Sequence, residues 1–424
     1  MFKPSFFILV IFLTLAGLMV YILVEPAFKG NLFVEHINGQ TLVSDFILYY
    51  QSGKMAISSD AHKIYDPLVQ LKWTNQLIYP DKINGIFYVN YVPFMFALLI
   101  PLTFFSIPTA YFLWCCLQLI LAYTGLNLIL KLNNNIQGIY KILLFLGFFI
   151  SVPSIYCLKL GQSGYILLSL FCYYLYFRFK QNKNLSGSLL ALTTIKPQYS
   201  LLPFLDLIIN NEKKVLIAFI ASEIILFLTA ILNIGIKETL LFPSILLNSE
   251  TVRHVKGFVL TGLYPTKMTN LRALVSYFYN DKLSSYISLL GIILFSLFFV
   301  FKYKNKILVN WYFAVLILAS VYFSPHTYIH DTVLIFLPFV LTVKTLKINE
   351  IINMNVISEK IWHILLIIYP ICSWACLLEQ LNSPIKVSFL SFYNLGLLIN
   401  AIFVFHYYYK HGQNYNFNQA LPEN

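Results

Sequence analysis

The apolar residues of this chain are gathered into blocks, and many are long enough to cross a bilayer as a helix. A membrane span needs about 20 predominantly apolar residues. The run from about Phe6 to Val24 meets that length, as do 109–130, 214–233, 360–380 and 386–408. Adding the blocks at 141–157, 163–179, 185–196, 199–210, 284–302, 307–323 and 330–344 brings the expected number of spans to about twelve. Only 11% of the 424 residues are charged, against roughly a quarter in soluble domains. The pattern predicts an all-α polytopic membrane protein, with residues 1–424 forming a single integral membrane domain. Lys3 precedes the first block as in a signal peptide, but no small-residue cleavage pattern follows, so a retained first helix is expected.

The net charge of +12 would suggest a nucleic-acid partner in a soluble protein. Here the positive residues fall in short loops, as orientation signals do, and no nucleic acid is expected. Arg178, Lys180 and Lys183 mark one such loop; Lys213 and Lys214 mark another; Lys302, Lys304 and Lys306 mark a third. Lys344, Lys347 and Lys360 flank a fourth. Placing all four inside requires 185–210, interrupted at Lys196-Pro197, to cross twice. Proline interrupts the backbone ladder, and broken helices at membrane depth occur where protein or a wet cavity satisfies the freed groups. Both termini, including the polar tail 409–424, are then cytoplasmic, and the long segments 25–108 and 235–283 lie outside. By the same parity 91–107 is an interfacial or re-entrant helix, not a span. The six cysteines sit in apolar blocks without metal-site spacing and read as packing residues.

Polar residues kept in a membrane protein are the informative ones. Asp45 stands at the head of SDFILYY, and Tyr49 follows at i+4 on the same helical face. Helix capping accounts for Asp45 as well as chemistry does. Lys159 and Gln162 sit at one outer mouth, Lys196 at the broken pair, and His326, His330 and Asp331 in the connection after 307–323. Arginine occurs at Arg178, Arg253 and Arg272, and the latter two share the segment 235–283 with His254. A guanidinium suits bidentate phosphate recognition, so Arg253, His254 and Arg272 are candidates for a lipid phosphate; a solvated loop explains them equally well. His330-Asp331 is a weak metal signal, and Glu223, inside an apolar block, stays unassigned.

Taken in order, SDFILYY, Tyr65-Asp66-Pro67, Tyr91-Val92-Pro93, Pro101-Leu102, Trp114, Gly161-Gln162, Lys196-Pro197 and Ser324-Pro325-His326 with His330-Asp331 resemble glycosyltransferase family 87 (DUF2029). Phe94 departs from the family's usual second proline. The resemblance implies a GT-C bundle with juxtamembrane helices in the first outer loop. It implies transfer of a sugar, mannose or another hexose, from a polyprenyl-phosphate donor to a lipid or glycan acceptor on the outer face of the plasma (inner) membrane. It makes Asp45 the general base of an inverting displacement. Tyr49, Lys159, Gln162, Lys196, Arg253, His254, Arg272, His326, His330 and Asp331 become candidates for holding the donor phosphate or substrate. No DxD motif is present, so neither nucleotide-sugar chemistry nor an obligatory metal or other cofactor is expected. A flippase of lipid-linked sugars, an oligosaccharide polymerase or ligase, and a non-catalytic member that binds lipid-linked sugar remain alternatives.

Overall fold

A computed structural model describes residues 32–37, 40–83, 85–133, 136, 138–249, 254–255, 258–261, 265–304, 309–344, 348–382 and 389–411, with isolated positions between 14 and 25. Most of the first apolar block, Arg253 and the tail beyond 411 lie outside the described residues. Among the described residues the fold is helical apart from two small sheets. Helices of the first long segment are α1 (Asp45–Ala56), α2 (Pro67–Leu77) and α3 (Pro93–Leu99). The bundle follows with α4 (Ile107–Asn133), α5 (Ile139–Phe149), α6 (Val152–Leu160), α7 (Gly164–Phe179), α8 (Lys183–Leu192), α9 (Pro197–Ile209) and α10 (Lys213–Ile234). The second long segment holds α11 (Ile236–Ser249) and α12 (Leu271–Val275). The chain continues through α13 (Asp281–Phe295), α14 (Val309–Phe323), a 3-10 helix at Ile329–Ile335, α15 (Phe336–Thr342), α16 (Ile348–Ile352), α17 (Ile357–Asn382) and α18 (Phe389–Lys410).

Among the described residues, four helices are long and apolar enough to cross a membrane: Ile107–Leu132, Lys213–Ile234, Lys282–Val300 and Phe389–Lys410. A fifth arises if α5 and α6, bent by 57° at their junction, count as one span. The block 141–157, expected as one straight span, therefore breaks. Ser151 sits at the α6 N-cap position in extended conformation and Pro153 occupies the first turn, where its missing N–H costs nothing. The stretch 185–210 is divided as its proline demanded: α8 ends, Thr193–Ile195 forms a 3-10 turn, and Pro197 opens α9. The segment 91–107 folds as α3 and a 3-10 turn over Ile100–Phe104, too short to span.

The apolar character of α14 extends round its whole circumference, and such a helix belongs in the interior. Residues 311–322 of this helix are all buried, and α9, α13, α15 and α18 pack round it. Helix α8 lies close on α10: a Cβ on Gly187 would stand 2.3 Å from the Val215 carbonyl oxygen, which only glycine permits. The chain is all-α as expected, and among the described residues short strand pairings stand beside the helices. Strand β1 (Val34–Ile37) pairs antiparallel with β2 (Gln40–Val43). Strand β3 (Ile86–Phe87) pairs parallel with β5 (Phe258–Thr261), which also carries β4 (His254–Val255) antiparallel. The pairing of Ile86 with Leu260 holds the two long segments on one side of the bundle.

Candidate active site

Helix α1 supplies the acid. Ser44 occupies its N-cap position and makes no side-chain cap bond, so Asp45 is the first helical residue and not the cap. Its carboxylate is turned across the fold, where Oδ2 accepts a hydrogen bond from Gln162 Nε2 at 2.6 Å. One turn on, the Tyr49 hydroxyl donates to Gln162 Oε1 at 3.2 Å and lies 3.1 Å from Ser163 Oγ. The Tyr49 ring stacks on Tyr91 at 4.7 Å and tilts against Trp114 at 5.7 Å. Tyr65 fixes that wall by donating to the Tyr91 carbonyl at 2.6 Å. Asp66, beside it, caps α2 by accepting from the backbone N–H groups of Leu68 and Val69. The Tyr65-Asp66-Pro67 motif is thus scaffold for Tyr49.

Gln162 owes its position to the way α6 ends. Gly161 takes the left-handed conformation (φ 66°), its N–H bonds to the Leu158 carbonyl, and the Gln162 N–H bonds to the Cys157 carbonyl. This is a Schellman motif, which satisfies otherwise orphaned carbonyls. Trp114 Nε1 donates to the Gly161 carbonyl at 2.7 Å and pins the turn. A Cβ at 161 would also come within 2.7 Å of Phe46 Cβ, so glycine is required for both backbone and packing.

Lys196 stands in the break before α9. Its ammonium donates to Asp331 and reaches Gln162 Oε1 at 3.4 Å. Asp331 Oδ2 accepts from the Tyr328 N–H at 3.2 Å, and His330 Nε2 lies 3.6 Å away. Tyr199 holds the same loop by donating to the His326 carbonyl at 2.9 Å and Thr327 Oγ1 at 3.1 Å. The result is one connected polar cluster from four parts of the chain: Asp45 and Tyr49, Gln162 and Ser163, Lys196, and His330-Asp331. Asp45 keeps part of its surface open while most of its surroundings are protein. Burial pushes its carboxyl up from the usual 3.8, while the Gln162 hydrogen bond and the Lys196 and His326 charges pull the other way.

Other expected residues have different surroundings. Lys159 pairs with Glu35 of β1 at 2.8 Å. Arg272 is buried, and its guanidinium donates to the Pro325 carbonyl at 2.8 Å, which braces the loop carrying His326. Arg253 and the His254 side chain lie outside the described residues. Glu223 accepts from the Thr194 hydroxyl at 2.9 Å. Among the described residues no three His, Cys, Asp or Glu side chains are placed to hold a metal ion. Sequence reasoning passed over Ser163, whose only signal is its place after Gly161-Gln162, and Tyr199, which looks like one aromatic among many.

Four features converge: a half-buried carboxylate of raised basicity, an adjacent ammonium, an aromatic wall and helices that stop short around them. No curated protein matches the chain. The model of glycosyltransferase family 87 matches residues 88–325, which takes in Gln162 and Lys196; Asp331 lies just past its end, and Asp45 lies well before its start. The matched region is more than half of the 424 residues, and together with the spanning helices it makes the protein a membrane glycosyltransferase. The chain belongs to glycosyltransferase family 87.

Proposed function

We propose that the protein transfers a sugar from a polyprenyl-phosphate donor to a hydroxyl of a lipid or glycan acceptor, within a GT-C bundle of about twelve spans. Mannose or another hexose is the proposed sugar, and the outer face of the plasma membrane the proposed location, with both termini inside. The observation that carries the reading is the contact of Asp45 and Lys196 with the two ends of one amide, Gln162.

In the reaction the acceptor oxygen attacks the anomeric carbon while Asp45 takes the hydroxyl proton. The bond from that carbon to the phosphate oxygen breaks, and the phosphate leaves with the electron pair. A phosphate monoester is a stable anion, so no general acid is needed, and one carboxylate suffices for inversion, unlike glycoside hydrolysis with its pair. Lys196 sits where a cation would stabilise the departing charge. His326 and His330 border the same cluster and complete the proposed phosphate side; Lys159, Arg253, His254 and Arg272 remain candidates for holding the donor away from the bond that breaks.

The test is transfer by purified protein from synthetic polyprenyl-phosphate mannose and other hexoses to a glycolipid extract. Asp45→Asn is expected to lower turnover by about 10²–10⁴ while the protein remains folded. Retained transfer would overturn the assignment of the base. Movement of labelled donor across liposomes with no acceptor glycosylated would favour a flippase.

A further inference from the structure

Gln162 makes contacts that a substrate-binding residue would not need. Its Oε1 faces two donors, the Tyr49 hydroxyl at 3.2 Å and the Lys196 ammonium at 3.4 Å. Its Nε2 faces the Asp45 carboxyl, whose Oδ2 accepts from it at 2.6 Å. The amide orientation is therefore fixed by chemistry: reversed, it would set oxygen against Asp45 and nitrogen against a cation. Asp45 Oδ2 is occupied by this bond, and Oδ1 has no hydrogen-bond partner among the described residues. The backbone beneath is equally constrained, by the Gly161 turn and the Trp114 bond to it.

We infer that Gln162 is a positioning residue that holds Asp45 Oδ2, presents Oδ1 as the oxygen that takes the acceptor proton, and sets the spacing between that base and Lys196. The inference rests on the proposed role of Asp45 and assigns Gln162 a task different from binding the donor. It also accounts for the placement of Tyr49, which keeps the amide from turning over. The charged and titratable groups around the base are Tyr49 on its own helix, Tyr91 from the segment before α3, Lys196 from the break, and His326 and Asp331 from the following loop. The Gln162 N–H is the direct hydrogen-bond support of the Asp45 carboxyl.

The test titrates Asp45 in the full-length, detergent-solubilised protein by infrared difference spectroscopy, its band identified as the one missing in Asp45→Asn. Gln162→Met keeps the volume and removes the N–H, and the Asp45 pKa is expected to rise by about one unit. Gln162→Glu sets a second carboxylate against it and is expected to raise the apparent value further, the two acids titrating as a pair. In the transfer assay the acid limb of kcat/KM moves up by the same amount, with donor KM little changed. An unmoved Asp45 band in both variants, or a raised donor KM with the limb in place, overturns the inference. Should Gln162→Glu fail to fold, the Met variant decides alone. Failure here leaves Asp45→Asn inactive, whereas failure of the base assignment shows as an active Asp45→Asn, so the two are distinguishable.

Discussion

At the scale of single residues, the cluster separates groups that do chemistry from groups that hold them. Tyr49→Phe keeps the stacking on Tyr91 and loses the bonds to Gln162 and Ser163; a stability loss of about 1 kcal/mol is expected, read as thermal unfolding in detergent. Lys196→Met strands Asp331 in a buried place and is expected to cost about 3–5 kcal/mol. Lys196→Met combined with Asp331→Leu should recover much of that stability while transfer stays lost, which a double-variant cycle measures. Much of this cluster was legible in the sequence, because a lone acid or lysine in an apolar chain stands out. The direction in which each side chain points was not. Lys159 and Lys196 look alike as lysines beside helix ends, yet one reaches a strand carboxylate and the other Asp331. Arg272 reads in the sequence as suited to phosphate, and nothing there shows that one of its donors is turned to a carbonyl of the neighbouring loop.

At the scale of elements, function depends on where helices stop. Gly161→Ala is expected to cost about 1–2 kcal/mol for the left-handed backbone alone, with more from the approach to Phe46. Because the same change displaces Gln162, it should lower transfer more than its unfolding temperature suggests. The break at Lys196-Pro197 was readable because proline announces it. The bend between α5 and α6 was hidden, since Pro153 lies inside a run whose hydropathy reads as continuous. The short strands were invisible for a different reason: two to four residues carry too little alternation to show a period.

At the scale of the whole molecule, the buried pair of Arg178 with Asp206, at 2.9 Å, lies away from the Asp45 cluster. The Tyr312 hydroxyl on α14 also donates to Asp206, which ties the central helix to α7 and α9. Arg178, one of the loop charges on which the expected orientation rests, is paired in the interior, with Lys180 and Lys183 following it in the chain. Arg178→Leu is expected to cost about 3–5 kcal/mol, measured by thermal unfolding. The β3–β5 pairing makes a further demand on topology. Single cysteines at Ser106 and Lys267, in a cysteine-free background, should label from the same side, and one at Asn182 from the opposite side. The reach of the cluster along the chain bears on how the protein is made. Lys196 meets its counter-charge, Asp331, 135 residues later. A nascent chain halted at Tyr303 would carry the Lys196 ammonium without Asp331. The Lys196 side of the cluster is therefore paired only once the chain has been made through residue 331.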